Sequence, residues 1–358
     1  MFYLSEVKLT KFRCYETYAV QFIPHINIIV GNNAVGKTSL VEAIYCLGLT
    51  KSHKATNDSE MIKNGEEVAV IKGFFQNNEE KDEIVLSISE KGKRVNKNNK
   101  IESTLSKYLG YFSIVMFCPE DLGLVNGVPV FRRKFLDVNI GQINKKYLKS
   151  LINYRKLLKQ RNEVLKVFNE KQGYDDRFLK IITNAMIDEA KTIIEERKKF
   201  IFLLNKHLFG KCDYISGEKE EAKLVYNPNC DVDNLFKESE LKKTLDRLTK
   251  TTNWGPHRDD FSILINGKEA SKYASQGQQK TAALSMKLGL ADLIKTQTER
   301  IIVILDDVFG ELDLERQNRV LKLLTFDDQI FITTTTIDNL SEQVLKDSQI
   351  IHIENGGE

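Results

Sequence analysis

The chain has 358 residues, 41% of them hydrophobic and 29% charged, enough to bury a core in one large domain or two smaller ones. Its 53 Lys and Arg against 50 Asp and Glu leave a net charge of +3, too small to argue for a nucleic-acid partner without local clustering. No apolar run approaches the ~20 residues that span a bilayer, and five scattered cysteines without a CxxC pair suggest neither a disulfide framework nor a zinc site; a cytoplasmic setting and no membrane partner are expected.

The opening MFYLSEVKLTKFRCYE alternates and carries charge, which is unlike a removable leader. Strands are expected at Phe2–Lys11, Tyr18–Phe22 and Ile26–Val30, the last a continuous apolar run that ends in glycine. A helix follows at Thr38–Leu49. A second β region covers Val68–Phe75, Glu83–Ser89 and Arg94–Asn96, with Ile114–Phe117 a further short strand. From Pro129 to Leu208 helical spacing dominates and predicts three or four long helices, broken by a turn at Tyr174–Asp176. Gly210–Pro228 reads as loop and Asn234–Leu248 as helix. Strands return at Phe261–Ile265, Ile301–Leu305, Ile330–Thr333 and Ile350–Ile353, with amphipathic stretches at Gly277–Thr296 and Glu315–Leu324. The pattern is an α/β body interrupted by a mainly helical insertion. The expected division is residues 1–118, a helical lobe at 119–260, and a return to the first lobe at 261–358.

The segment INIIVGNNAVGKTSLVEAI holds Gly31-x4-Gly36-Lys37-Thr38 after a buried-type strand and at the start of a helix. Such a loop folds its amides around phosphate and adds the positive end of the helix. It predicts ATP contacts from Gly31, Asn32, Asn33, Ala34, Val35, Gly36, Lys37, Thr38 and Ser39. Lys37 would neutralise the β- and γ-phosphates and the Thr38 hydroxyl would ligate Mg2+. Far downstream, the strand Ile301–Leu305 ends in Asp306-Asp307. Asp306 would hold Mg2+ through water, and Asp307 would position or deprotonate the attacking water.

Between the insertion and the acidic strand stands Ser275-Gln276-Gly277-Gln278, followed by an apolar helix, which resembles the ABC signature. A hydroxyl and amides at a helix start make an anion site. In ABC ATPases this surface caps the γ-phosphate of ATP on a second subunit, so Ser275, Gly277 and Gln278 join the nucleotide-contact set. Glu311-Leu312-Asp313 looks like the D-loop. Thr333–Thr336 stand where ABC transporters place a switch histidine; threonine cannot titrate near neutral pH, so slow hydrolysis is expected.

These elements resemble the RecF family of SMC-like ABC ATPases. The likeness also rests on Lys11–Tyr15, Phe117–Leu122, Arg132–Asp137 and Gly255–Asp260, and it spans nearly the whole chain. SMC and RecN relatives carry long coiled coils, whereas the insertion here allows only a short helical lobe. The resemblance implies an α/β P-loop NTPase with a two-lobed, ABC/SMC-head architecture that dimerises on ATP. It implies binding to single-stranded, gapped or duplex DNA in replication, recombinational repair and the SOS response. It further implies help in loading recombinase with RecO and RecR. Cys14 stands where many relatives have Asn. No glutamine marks a Q-loop, for which Glu120 is the candidate.

Basic clusters at Lys51–Lys54, Lys91–Arg94, Arg132–Lys134 and Lys145–Arg161 are the candidate DNA contacts, with salt-sensitive and sequence-independent binding expected. The sequence also admits two rival readings: a transporter-type ABC subunit, and an architectural head that binds ATP without turnover.

Overall fold

The structure is a computed structural model that describes residues 2–167, 176–217, 220–309, 312–324, 328–338 and 340–354. Eight strands precede the helical region: β1 Phe2–Phe12, β2 Tyr15–Gln21, β3 Ile26–Val30, β4 Val68–Asn77, β5 Glu80–Ser89, β6 Gly92–Lys97, β7 Lys100–Ile101 and β8 Ser113–Phe117. Among the described residues six follow it: β9 Ala222–Asn227, β10 Asp260–Ile265, β11 Lys268–Glu269, β12 Ile301–Asp306, β13 Gln329–Thr334 and β14 Ser348–His352. The chain divides into two compact units. The first holds Met1–Asp121, Gly210–Glu220 and Ala283–Glu358; the second holds Leu122–Phe209 and Glu221–Ala282.

Two sheets build the first unit. One is antiparallel, in the order β2-β1-β4-β5-β6-β7; the other is parallel, in the order β14-β3-β13-β12-β8. In β4, Ala69, Ile71, Gly73 and Phe75 alternate inward, as a sheet with one wet face requires. In β3, β8, β12 and β13 every residue is buried, the signature of parallel strands covered on both faces. The helix Lys37–Leu49 is buried on nearly all its sides. It meets both sheets: a Cβ on Gly48 would collide with Ile114, and one on Gly73 of β4 would collide with Leu47. Glycine at these two positions lets helix and strands approach closely, which seats the last turn of the helix against both sheets.

The second unit is built on the helices Pro129–Ile143, Lys145–Lys166 and Asp176–Leu208, with the antiparallel sheet β11-β10-β9. Its interior holds a fully satisfied polar knot. Arg197, 2% exposed, donates to Asp137 Oδ1 at 2.7 Å, Asp259 Oδ2 at 2.8 Å and the Pro256 carbonyl at 2.7 Å. Such a charge is tolerated inside only because its partners supply what water would.

Several expectations change. The loop expected at Gly210–Pro228 contains the helix Lys211–Ser216 and strand β9. The strand at Phe261 does not open the return to the first unit. It pairs with β9 from Asp260↔Asn227 to Ile265↔Ala222, so that sheet holds it in the second unit and the return comes at Ala283. The turn expected at Tyr174–Asp176 falls largely outside the described residues, as does part of Glu311–Asp313. Among the described residues no helix is long and apolar enough to cross a membrane.

Candidate nucleotide site

The site is assembled at the carboxyl ends of neighbouring parallel strands. In the order β3-β13-β12, strand β13 lies between the strand that leads into Gly31–Thr38 and the strand that ends in Asp306. Thr333 of β13 is in register with Ile29 on one side and Asp306 on the other. A pleated parallel sheet spaces such flanking strands roughly 10 Å apart, so the glycine loop and the acidic pair face each other across one threonine.

The glycine loop is shaped by its surroundings. Gly36 has φ 118°, a left-handed value at which a side chain is strained, and a Cβ there would lie 2.7 Å from the Tyr15 hydroxyl. Tyr15 donates to the Gly36 carbonyl at 3.0 Å. Gly31 has no room for a side chain because the Ile353 carbonyl occupies that space. Asn32, Asn33 and Ala34 stay exposed, Val35 packs against the core, and Ser39 is half-buried. Lys37 is 8% exposed and its ammonium donates to the loop's own carbonyls, Gly31 at 2.7 Å and Asn32 at 2.8 Å. Burial pulls its pKa below the ordinary lysine value, while the nearby Asp307 and Asp306 carboxylates oppose that shift.

Asp306 is 1% exposed and accepts from two hydroxyls at one oxygen, Oδ1: Thr333 at 2.8 Å and Thr38 at 3.2 Å. Burial raises its pKa above the usual carboxylate value, against the Thr333 and Thr38 hydrogen bonds and the Lys54 charge. Thr333 Oγ1 also accepts from the Asp307 backbone N–H at 2.9 Å. Asp307 itself is exposed, with φ 55°. A cavity of about 200 Å3 collects Asn33, Ala34, Gly36, Lys37, Thr38, Ser39, Asp307, Thr333 and Cys14. Amides, an ammonium, a hydroxyl and a carboxylate pair thus converge where a phosphate chain with a hard, oxygen-seeking cation would be held.

Three residues join the site that their sequence positions did not announce. Arg13 grips Glu42 on the helix Lys37–Leu49 with both ends of its guanidinium, at 2.8 and 2.6 Å. Glu42 also receives the Ser52 hydroxyl. This clamp presses the Cys14–Tyr15 corner onto the glycine loop. Lys54, grouped by sequence with a basic surface cluster, instead has its ammonium 4.0 Å from Asp306 Oδ2 and 3.7 Å from Glu120 Oε1. The only advance signal was an acid, Glu42, on an otherwise apolar helix. Glu120 sits in the turn Pro119–Asp121, whose Asp121 pairs with Lys287 at 2.8 Å.

Ser275, Gly277 and Gln278 belong to the second unit, whereas all the residues lining the cavity above belong to the first. Ser275 is exposed at the start of the helix Gln276–Lys295 and forms a reciprocal cap with Gln278. The Gln278 N–H donates to the Ser275 hydroxyl at 3.3 Å, and the Ser275 N–H donates to Gln278 Oε1 at 2.9 Å.

The basic clusters sort themselves by exposure. Arg161 is buried against Asp246 at 2.8 Å, Arg155 is paired with Asp137 at 2.6 Å, and Arg132 binds Asp260 through both Nε and Nη2. Arg161 and Arg132 hold structure rather than face solvent as a basic stripe would, whereas Arg155 stays exposed in its pair with Asp137. Lys146, Lys149, Lys156 and Lys159 remain exposed along the helix Lys145–Lys166.

The sequence profile of the RecF/RecN/SMC N-terminal domain matches residues 3–356. The DNA replication and repair protein RecF of Bacillus cereus (strain G9842) is 39% identical over 365 residues, which cover 99% of this chain and 97% of that one. The protein of the same name from Bacillus thuringiensis (strain Al Hakam) is 38% identical with the same coverage. A solved structure of the recombination mediator protein RecF with ATP, in the RecFOR pathway, superposes with a TM-score of 0.90 at 30% identity, covering 99% of this chain and 96% of that chain. An Smc head domain from Pyrococcus furiosus, at 16% identity and a TM-score of 0.56 over 99% of this chain and 95% of its own, shares the fold.

Proposed function

The chain belongs to the RecF family, and on that premise we propose that it is an ATP-gated DNA-binding protein of replication and recombinational repair. The observation that carries the reading is the chain of contacts Thr38–Asp306–Thr333–Asp307 beneath the glycine loop, which ties both halves of a nucleotide site into one hydrogen-bonded unit.

ATP is held by the amides of Gly31–Ser39, with Lys37 turned from its loop carbonyls toward the β- and γ-phosphates. The Thr38 hydroxyl and Asp306 carboxylate are oxygen donors of the kind Mg2+ prefers, so they would hold it, Asp306 through water. Bound Mg2+ supplies charge neutralisation on the phosphates. Asp307 orients the attacking water. Its backbone is fixed by Thr333 but its carboxylate is solvent-exposed, consistent with slow turnover.

Ser275, Gly277 and Gln278 close the site from a second copy of the chain, so ATP promotes a homodimer. The dimer binds single-stranded, gapped or duplex DNA through its backbone in the cytoplasm, and hydrolysis releases it. RecO and RecR, the partners implied by the family, act with it in loading recombinase.

Gel filtration with light scattering tests this in the presence of ATP, ADP or no nucleotide. Wild-type protein should dimerise with ATP, and Asp307→Asn should remain dimeric for longer. A monomer in every condition, Asp307→Asn with ATP included, rejects the gating mechanism. A DNA panel with and without ATP tests the rest.

A further inference from the structure

Three segments of the first unit meet at the Asp306 carboxylate. Asp306, at the end of β12, uses Oδ1 to accept from the hydroxyls of Thr333 and Thr38. Its Oδ2 faces the Lys54 ammonium at 4.0 Å, and the same ammonium lies 3.7 Å from Glu120 Oε1. Lys54 follows the helix Lys37–Leu49, and Glu120 stands in the turn Pro119–Asp121 that follows β8. The lysine thus stands within reach of two carboxylates, one of them a candidate metal holder.

The backbone beneath Lys54 is held in place. The Ser52 hydroxyl accepts from the N–H of Lys54 at 2.9 Å and of Ala55 at 2.7 Å, and it donates to Glu42. Glu42 is 2% exposed and gripped by Arg13. The Lys54 side chain, by contrast, stays 40% exposed. An anchored backbone under a long, partly wet side chain suits a point charge that swings between two acceptors. Its neighbours make that swing matter. Thr38 gives its proton to Asp306, which leaves its oxygen lone pairs for a cation. Two cations at one carboxylate repel, so the ammonium and Mg2+ compete for Asp306.

We propose that Lys54 makes metal binding depend on nucleotide: its ammonium is the counter-charge of Asp306 until ATP brings Mg2+ in, and then moves onto Glu120. The proposal rests on the nucleotide-site reading above and deepens it. Mg2+ gives up its water reluctantly and takes its few other ligands from carboxylates together with substrate phosphates. The Thr38 hydroxyl and Asp306 alone offer too little to displace the ammonium, whereas phosphate oxygens added to them offer enough. Glu120, in the turn where no glutamine marks a Q-loop, becomes the second seat of a lysine.

The test uses Mn2+ as the metal probe. Electron paramagnetic resonance of free Mn2+ measures its binding to the protein without nucleotide, and equilibrium dialysis measures ATP affinity in EDTA and in Mn2+. The proteins compared are wild type, Lys54→Met, Lys54→Gln, Glu120→Gln, and Lys54→Met combined with Asp306→Asn; urea denaturation verifies that each is folded. Without nucleotide, both lysine variants should bind Mn2+ about five- to several-hundredfold more tightly than wild type, the span set by how far water screens the pair. Asp306→Asn should abolish that gain. By linkage, Mn2+ should then raise ATP affinity by a correspondingly smaller factor in the lysine variants than in wild type. Glu120→Gln should also reduce that factor, because the ammonium has lost its second seat. Unchanged Mn2+ binding in both lysine variants, where wild type binds ATP, overturns the role of Lys54 and leaves the nucleotide site intact. A gain that survives Asp306→Asn overturns it as well, since the metal then sits elsewhere. ATP affinity that falls in EDTA without any gain in Mn2+ binding assigns Lys54 to phosphate instead. A full Mn2+ effect in Glu120→Gln removes Glu120 as the acceptor. Wild-type protein that binds ATP in neither EDTA nor Mn2+ overturns the nucleotide site and this proposal together.

Discussion

Replacing Thr333 by valine keeps the shape of β13 but deletes one oxygen that does two jobs. The lost donor serves a carboxylate that is 1% exposed, and hydrogen bonds to charged groups contribute about 1.5–3 kcal/mol. The lost acceptor leaves the Asp307 N–H to water, at little cost because Asp307 is exposed. A destabilisation of about 2 kcal/mol follows at neutral pH, since Thr38 and Lys54 still face Asp306. The sign of its pH dependence is fixed. Burial already raises the folded pKa of Asp306, and removing a donor that favours the carboxylate raises it further. The penalty is therefore fully expressed above the raised pKa and shrinks as pH falls through it, because the protonated acid no longer needs the hydroxyl. Urea denaturation of nucleotide-free Thr333→Val at pH 8 and pH 5 reads both effects. Turnover should fall about ten- to a hundredfold, with nucleotide affinity nearly unchanged, because Asp307 loses its backbone anchor. Thr333→Ser should restore stability and turnover. A loss below ~0.5 kcal/mol at pH 8, or one that grows on acidification, refutes the assignment.

Further consequences are measurable in the same protein. His257 is held neutral by burial, with its pKa lowered to about 4 and its ring bonded to Tyr154 at 2.7 Å. The unfolded chain binds its proton near 6.5, so stability falls as pH drops from about 6.5 toward 4, by at most roughly 1.4 kcal/mol per pH unit from this residue. Urea denaturation should show a flatter pH slope over that window in His257→Gln, and an unchanged slope contradicts the assignment. Arg197→Met leaves Asp137 and Asp259 facing each other without their shared cation, and denaturation should reveal a loss of about 3–5 kcal/mol in the second unit. Ser275→Arg should leave ATP affinity intact while abolishing the ATP-dependent dimer; loss of ATP binding in the monomer would make the serine a structural cap only.

The parts of the site legible in sequence are those written in contiguous residues. The glycine loop is legible because a continuous apolar strand, a run of small residues and a helix must succeed one another, and β3 occupies Ile26–Val30 as expected. Asp306-Asp307 is legible because a buried strand rarely ends in two acids. The contacts that join these segments are not legible. Thr333 is one threonine among four, and only the strand order β3-β13-β12 puts it between the two halves. The burial of Arg161, in the basic cluster Lys145–Arg161, is illegible for the converse reason. Helical spacing places Arg161 on a helix, but a buried Asp246 supplied from 85 residues away decides whether its charge faces water. The strand at Phe261 was legible as a strand, whereas its partner β9 lay in a stretch rich in turn residues and polar side chains.

The signature shows where local legibility ends and function begins. Its sequence pattern says that a serine starts a helix, and the structure gives that serine an ordinary reason to be there: a reciprocal cap with Gln278. That cap uses the hydroxyl as an acceptor, so its proton is still available to donate, as a γ-phosphate oxygen requires. The cap also spares the exposed helix end from depending on a ligand for its order. A surface that is stable by itself and still carries a donor can be presented to nucleotide on another molecule without first being assembled. Capping and signature roles are therefore compatible in one residue. A Ser275→Ala variant alone could not separate them, because it removes both; the bulky Ser275→Arg obstructs closure between copies from an exposed position, outside the cavity of the glycine loop.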